Sequence, residues 1–159
     1  MPEEALDELA ELWGVAMHTG EVPRAWLEVR TVTIPKQEGG YRGLSIASQI
    51  WRACMSATAY SLRNWSEGWL PEEVYGGISG RNGNELHERL MGVIDKCHKE
   101  KLELRGGKID LKKCFDTVAP EQAITLWEQW GAPRGVVRIL HAFYQRHRRW
   151  VEHRWGGRT

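Results

Sequence analysis

Phenylalanine and cysteine are scarce in this sequence, and a surplus of charge of either sign is almost absent. The 159 residues hold two Phe and three Cys, and the formal net charge is +1. Near-neutrality excludes both a uniformly basic nucleic-acid coat and an acidic tail protein. Cys54, Cys97 and Cys114 lie far apart. They make neither an even disulfide framework nor a metal-binding pair, so a reducing compartment is the simpler reading. No apolar run approaches the roughly 18 residues of a membrane span, so no membrane partner is expected. The acidic N-terminus lacks the basic-then-apolar pattern of a secretory signal. These absences leave an intracellular protein, with cytoplasm or nucleus open.

Nine Trp stand against the two Phe, and hydrophobic residues make up 42% with 27% charged, a globular balance. Trp is large and carries one N–H donor, so the nine mark a core with polar edges or surfaces for stacking. Most are expected in a core or packed against a part of the domain that this sequence lacks. The near-zero net charge also hides an asymmetry. Residues 1–21 hold six acids and no Lys or Arg, whereas residues 134–158 hold seven Arg and one acid, Glu152. A basic block of that kind can bind phosphate or form a solvated helix face.

The patterning predicts an α+β chain rich in helix. Pro2-Glu3-Glu4 opens a helix with acids in its first turn, Leu6, Leu9, Trp13 and Ala16 recur at helical spacing, and Gly20 ends it. E-V-R-T-V-T-I-P (28–35) alternates as a strand, and Gly39-Gly40 turns the chain. Ser45 or Ser48 caps a long helix running to about Trp65. After Pro71 and the glycine-rich Y-G-G-I-S-G-R-N-G (75–83), Leu86, Leu90, Ile94 and Cys97 mark an amphipathic helix. Gly106-Gly107 leads into a short strand, K-I-D-L (108–111). Pro120 and Pro133 each stand where a helix can begin. R-W-V-E-H-R-W (149–155) alternates as a final strand.

Two segments carry candidate chemistry. In G-K-I-D-L-K-K-C-F-D-T-V (107–118), a strand end would present Asp110. A carboxylate there suits Mg²⁺, which prefers hard oxygen ligands and substrate phosphates. The same residues equally allow Asp110 or Asp116 to cap a helix or turn. In I-P-K-Q-E-G-G-Y-R-G-L-S-I (34–46), Lys36 and Arg42 flank a glycine turn. Such a hairpin can grip a triphosphate, or it can be a surface hairpin with two solvated bases.

Taken in order, the blocks Pro23-Arg24-Ala25-Trp26, P-K-Q-E-G-G-Y-R-G-L-S-I, V-Y-G-G-I-S-G-R and D-L-K-K-C-F-D-T-V resemble the reverse transcriptase domain of non-long-terminal-repeat retrotransposons and group II intron-type enzymes. The resemblance covers roughly residues 20–155. Gly43 stands where the family has Pro, Gly77 or Ile78 where it has Phe, and Cys114 where it has a small Ala. The resemblance implies the fingers and first part of the palm of a right-hand polymerase. The chain then reads as a single partial domain, with an N-terminal helix (1–20), a fingers-like part (21–104) and a partial palm (105–159).

By the same resemblance, Asp110 is a catalytic metal ligand and the Leu111 carbonyl adds a second oxygen for Mg²⁺. Lys36 and Arg42 hold the triphosphate. Phe115 lies under the sugar and selects deoxynucleotides, while Asp116 secures the turn. Arg81 meets nucleic-acid phosphate, and Arg146, Arg148 and Arg149 follow a template–primer duplex. The implied partners are an RNA template, a DNA primer and deoxynucleoside triphosphates. The family's tyrosine-x-aspartate-aspartate hairpin is missing, and no Asp-Asp pair occurs anywhere in the sequence. The expectation is a fragment that does not polymerise by itself. The alternatives are a non-catalytic nucleic-acid-binding module derived from such a domain, a piece of an RNA-templated RNA polymerase, and an unrelated α+β protein.

Overall fold

Every helix whose start the sequence signals does form, and the caps explain where. A computed structural model describes residues 2–78, 80–111 and 117–152. Helix α1 (Glu3–Thr19) begins after Pro2, carries Glu3 and Glu4 in its first turn, and stops at Gly20, which takes the left-handed conformation (φ 78°). Helix α2 (Gln49–Ser61) starts at Ser48, whose hydroxyl accepts from the Trp51 amide at 3.2 Å. The helix expected to reach Trp65 is instead two pieces, since Leu62 separates α2 from the short α3 (Arg63–Glu67). Asn82 caps α4 (Gly83–Lys99) by accepting from the Glu85 amide at 3.0 Å. Pro120 is the first residue of α5 (Pro120–Gln129), and Pro133 immediately precedes α6 (Arg134–Arg146).

The strands β1 (Glu28–Pro35), β2 (Tyr41–Ala47) and β3 (Arg148–Glu152) form one sheet in the order β2-β1-β3. β1 and β2 pair antiparallel, with Ile34 opposite Arg42 and Pro35 opposite Tyr41. β3 lies parallel to β1, with Val29 opposite Arg149. A parallel neighbour needs a crossover, and the chain between β1 and β3 supplies one containing several helices. β3 forms over the first part of the predicted 149–155 strand; residues 153–155 lie outside the described residues.

K-I-D-L (108–111) is not a strand, which corrects the expectation from its sequence. A strand exists only with a ladder partner, and no described strand pairs with these residues. Ile109 is accordingly 90% exposed.

The chain divides into two compact units. One comprises Met1–Ala59 with Ala119–Thr159, and the other Tyr60–Val118. The first holds the core: Trp13, Ala16, Val22, Trp26, Leu27, Val29, Trp51, Cys54, Ile139, Ala142 and Phe143. Its centre is aromatic. Trp13 meets Trp26 at 6.0 Å and Trp51 edge-on at 5.4 Å, while Trp51 stacks on Phe143 at 4.1 Å. Three of the nine Trp are thus core, and they use the tilted, edge-on and stacked arrangements that aromatic quadrupoles favour. The second unit carries α3, the glycine loop, α4 and residues 101–111. Among the described residues, no helix is long and apolar enough to cross a membrane.

Candidate functional site

The hairpin displays Lys36 and Arg42 together. The Lys36 amide donates to the Gly40 carbonyl at 3.0 Å and continues the β1–β2 ladder one pair beyond Pro35. Residues opposite one another share a face, and faces alternate along a strand. Ile34 lies opposite Arg42, and Lys36 is two residues after Ile34, so both bases fall on one face of the hairpin. Both are exposed. The turn between them requires glycine: Gly39 and Gly40 have φ of 89° and 80°.

The three arginines expected to form one basic strip are divided among different tasks. The Arg146 guanidinium donates to the Gly20 carbonyl, approaches Glu21 at 3.4 Å, and returns through Nε to the Ala142 carbonyl at 3.3 Å. With Arg138, which donates to the Met17 and His18 carbonyls, it closes the C-terminal end of α1. Cations at that end also suit the helix dipole. Arg148 and Arg149 are neighbours on β3 and so point to opposite faces of the sheet.

Arg149 faces an open groove of about 1330 Å³ bounded by β1, β2, α2 and the end of α6. Arg52 of α2 and His147 join it there, and among the described residues no carboxylate lines the groove. His147 stacks on Phe143 at 5.3 Å, and its Nδ1–H donates to the Tyr144 carbonyl at 3.1 Å. Sequence reasoning missed Arg52 and His147. Their positions after a serine cap and at the end of a basic helix were visible, but the sheet that brings them together was not.

In the second unit, Arg81 closes the glycine loop on itself. Its Nη1 donates to the carbonyls of Pro71 (2.9 Å), Glu72 (3.2 Å) and Val74 (2.8 Å). Asp110 is exposed and belongs to no regular element, as does Leu111. Phe115 and Asp116 lie outside the described residues. Among the described residues, no group of three or more His, Cys, Asp or Glu could hold a metal ion. One carboxylate and one carbonyl fall well short of the octahedral oxygen shell that Mg²⁺ requires. The described donor set therefore does not fit the ion, and no catalytic step can be built on it.

Residues 34–158 match a family model described as reverse transcriptase (RNA-dependent DNA polymerase). No curated protein matches the chain.

Proposed function

The chain belongs to the reverse transcriptase (RNA-dependent DNA polymerase) family, and from that premise we propose that it is the fingers and first palm segment of a retrotransposon- or group II intron-type enzyme. The observation that carries this reading is the extent of the match. Residues 34–158 include both the Lys36–Arg42 hairpin and the Asp110 segment, the two places to which the resemblance assigns polymerase chemistry.

In this reading, the exposed face bearing Lys36 and Arg42 binds a deoxynucleoside triphosphate. Lysine serves as a point charge and arginine as a planar fork for phosphate oxygens. The groove lined by Arg52, His147 and Arg149 follows a nucleic-acid backbone, and a lining without carboxylates among the described residues favours polyanions. By the resemblance, Asp110 is the one carboxylate that would belong to the metal site of nucleotidyl transfer, and the described residues do not complete that site. Two-ion chemistry needs a clamp on both the attacking and the leaving oxygen. We therefore expect these 159 residues to bind nucleotide and nucleic acid without extending a primer.

Primer extension on an RNA template with Mg²⁺, run beside anisotropy binding of the same template–primer, tests the reading. The expected result is salt-sensitive binding with no extension, and nucleotide affinity that falls at least several-fold in Lys36→Ala and Arg42→Ala. Absence of any binding at low salt would overturn it. Extension abolished by Asp110→Ala would show that the chain is catalytically sufficient and overturn the incomplete-site reading.

The second reading is a non-catalytic binding module, favoured by the exposed Asp110 and the acid-free groove. Nucleic-acid affinity that depends on Arg149, combined with no measurable nucleotide binding at the hairpin, would select it.

A further inference from the structure

We propose that Arg81 is a positioning residue of the glycine loop and does not act as a phosphate ligand. The loop between α3 and α4 runs through Pro71, Tyr75, Gly76, Gly77 and Gly80. Gly77 and Gly80 have φ of 74° and 84°, so its path depends on residues that hold little shape of their own. Among the described residues the loop's backbone bonds include the Val74 amide donating to the Pro71 carbonyl at 3.1 Å and the Arg81 amide donating to the Ile78 carbonyl at 3.2 Å. A loop of this composition needs an external brace.

Arg81 supplies it. Nη1 carries two of the five guanidinium hydrogens, and these are shared over the carbonyls of Pro71, Glu72 and Val74. One residue at the end of the loop thus gathers three carbonyls at its beginning. The side chain is half-buried, in contrast to exposed Arg89, whose guanidinium lies 5.7 Å from the Tyr75 ring centroid. Glu72, Tyr75, Arg81, Glu85 and Arg89 together line a small pocket of about 220 Å³. The carboxylates of Glu72 and Glu85 balance the guanidiniums of Arg81 and Arg89 in that wall, so the pocket offers an anion no net positive charge. The charge of Arg81 instead strengthens bonds to backbone oxygens, since hydrogen bonds from an ionised donor are shorter and stronger than neutral ones.

Native-state hydrogen exchange of the whole chain decides the matter, with Arg81→Ala and Arg81→Lys compared with the parent. Arg81→Ala is expected to raise exchange at the Val74 and residue-81 amides at least tenfold while the α4 amides stay unchanged. Arg81→Lys, which keeps three donors, restores part of that protection. Loop exchange unchanged in Arg81→Ala overturns the proposal. A second readout is the salt dependence of binding to a fluorescent oligouridylate. Loss of a brace leaves the slope of log K against log salt unchanged, whereas loss of a phosphate contact lowers it by roughly 0.7 for a single strand, and that outcome also overturns the proposal. The exchange experiment needs no nucleic acid. Failure of the oligonucleotide to bind would count against the functional reading above and leave the exchange result to decide Arg81.

Discussion

The indole N–H of Trp13 donates to the Thr58 hydroxyl at 3.0 Å, joining α1 to α2 across 45 residues of sequence. Thr58 is buried and in turn donates to the Cys54 carbonyl at 2.9 Å. The bond lets a Trp enter the core without stranding its one polar atom. Thr58→Val leaves that donor unpaired and is expected to cost about 1–3 kcal/mol. Thr58→Ser keeps the hydroxyl and loses only a methyl, about 0.8 kcal/mol. Urea unfolding followed by Trp fluorescence separates the two, and equal losses in both variants would show that the bond contributes nothing.

Much of this architecture is legible in the sequence because it rests on local rules. Pro2, Gly20, Ser48 and Pro120 act where their backbone chemistry says they should. The hairpin follows from strand alternation and the Gly39-Gly40 turn. What was not legible depends on partners distant in sequence. K-I-D-L has the composition of a strand, but composition cannot supply a neighbour, and Ile109 stays exposed. Arg146 reads as part of a basic block, yet the end of α1 claims it; nothing in residues 134–158 announces that Gly20 and Glu21 lie beside it. The hairpin bases were legible for the same reason as the hairpin itself. The groove cations Arg52 and His147 required the tertiary fold.

Lys101 is the one described non-glycine residue with positive φ, 52°. It follows α4, where the Leu102 amide donates back to the Cys97 carbonyl at 2.8 Å, closing the helix end as a left-handed turn. An L-residue in that conformation costs roughly 1–2 kcal/mol that glycine avoids. Glycine's greater freedom in the unfolded chain takes back part of the gain. Lys101→Gly is therefore expected to stabilise the second unit by up to about 1 kcal/mol. Denaturant unfolding checks this, with a raised midpoint expected and a lowered one counting against the turn.

Burial among the core aromatics pushes the Cys54 thiol above the ordinary thiol range, because the thiolate would lose its hydration. The folded state thus holds its proton more tightly than the unfolded state. The associated stability is complete below the unfolded thiol value of roughly 8.5 and is lost as pH rises through the folded value. At pH 8 an alkylating reagent should modify half-buried Cys97 well before Cys54, resolved by peptide mass spectrometry. Stability should fall more steeply above pH 9 in the parent than in Cys54→Ala. Rapid alkylation of Cys54 in the folded protein would contradict its burial.

Arg146 and Arg149 stand three residues apart in one basic run, and their surroundings give them opposite roles. The Arg146 guanidinium is occupied by the Gly20 carbonyl, the Ala142 carbonyl and Glu21, all belonging to the fold. Arg149 is exposed and lines the acid-free groove with Arg52 and His147. Removing Arg149 should release one fewer counterion on binding, lowering the slope of log K against log salt by roughly 0.7 for single-stranded nucleic acid and leaving thermal stability within about 0.5 kcal/mol of the parent. Removing Arg146 should do the reverse. It leaves the carbonyl at the end of α1 without this donor, so unfolding becomes easier by about 1–3 kcal/mol while the salt slope stays the same. Anisotropy titrations across a salt series, paired with thermal unfolding of each variant, measure both quantities on the same preparations. A slope that falls in Arg146→Ala and holds in Arg149→Ala would move the nucleic-acid path off the groove and onto the α1–α6 seam.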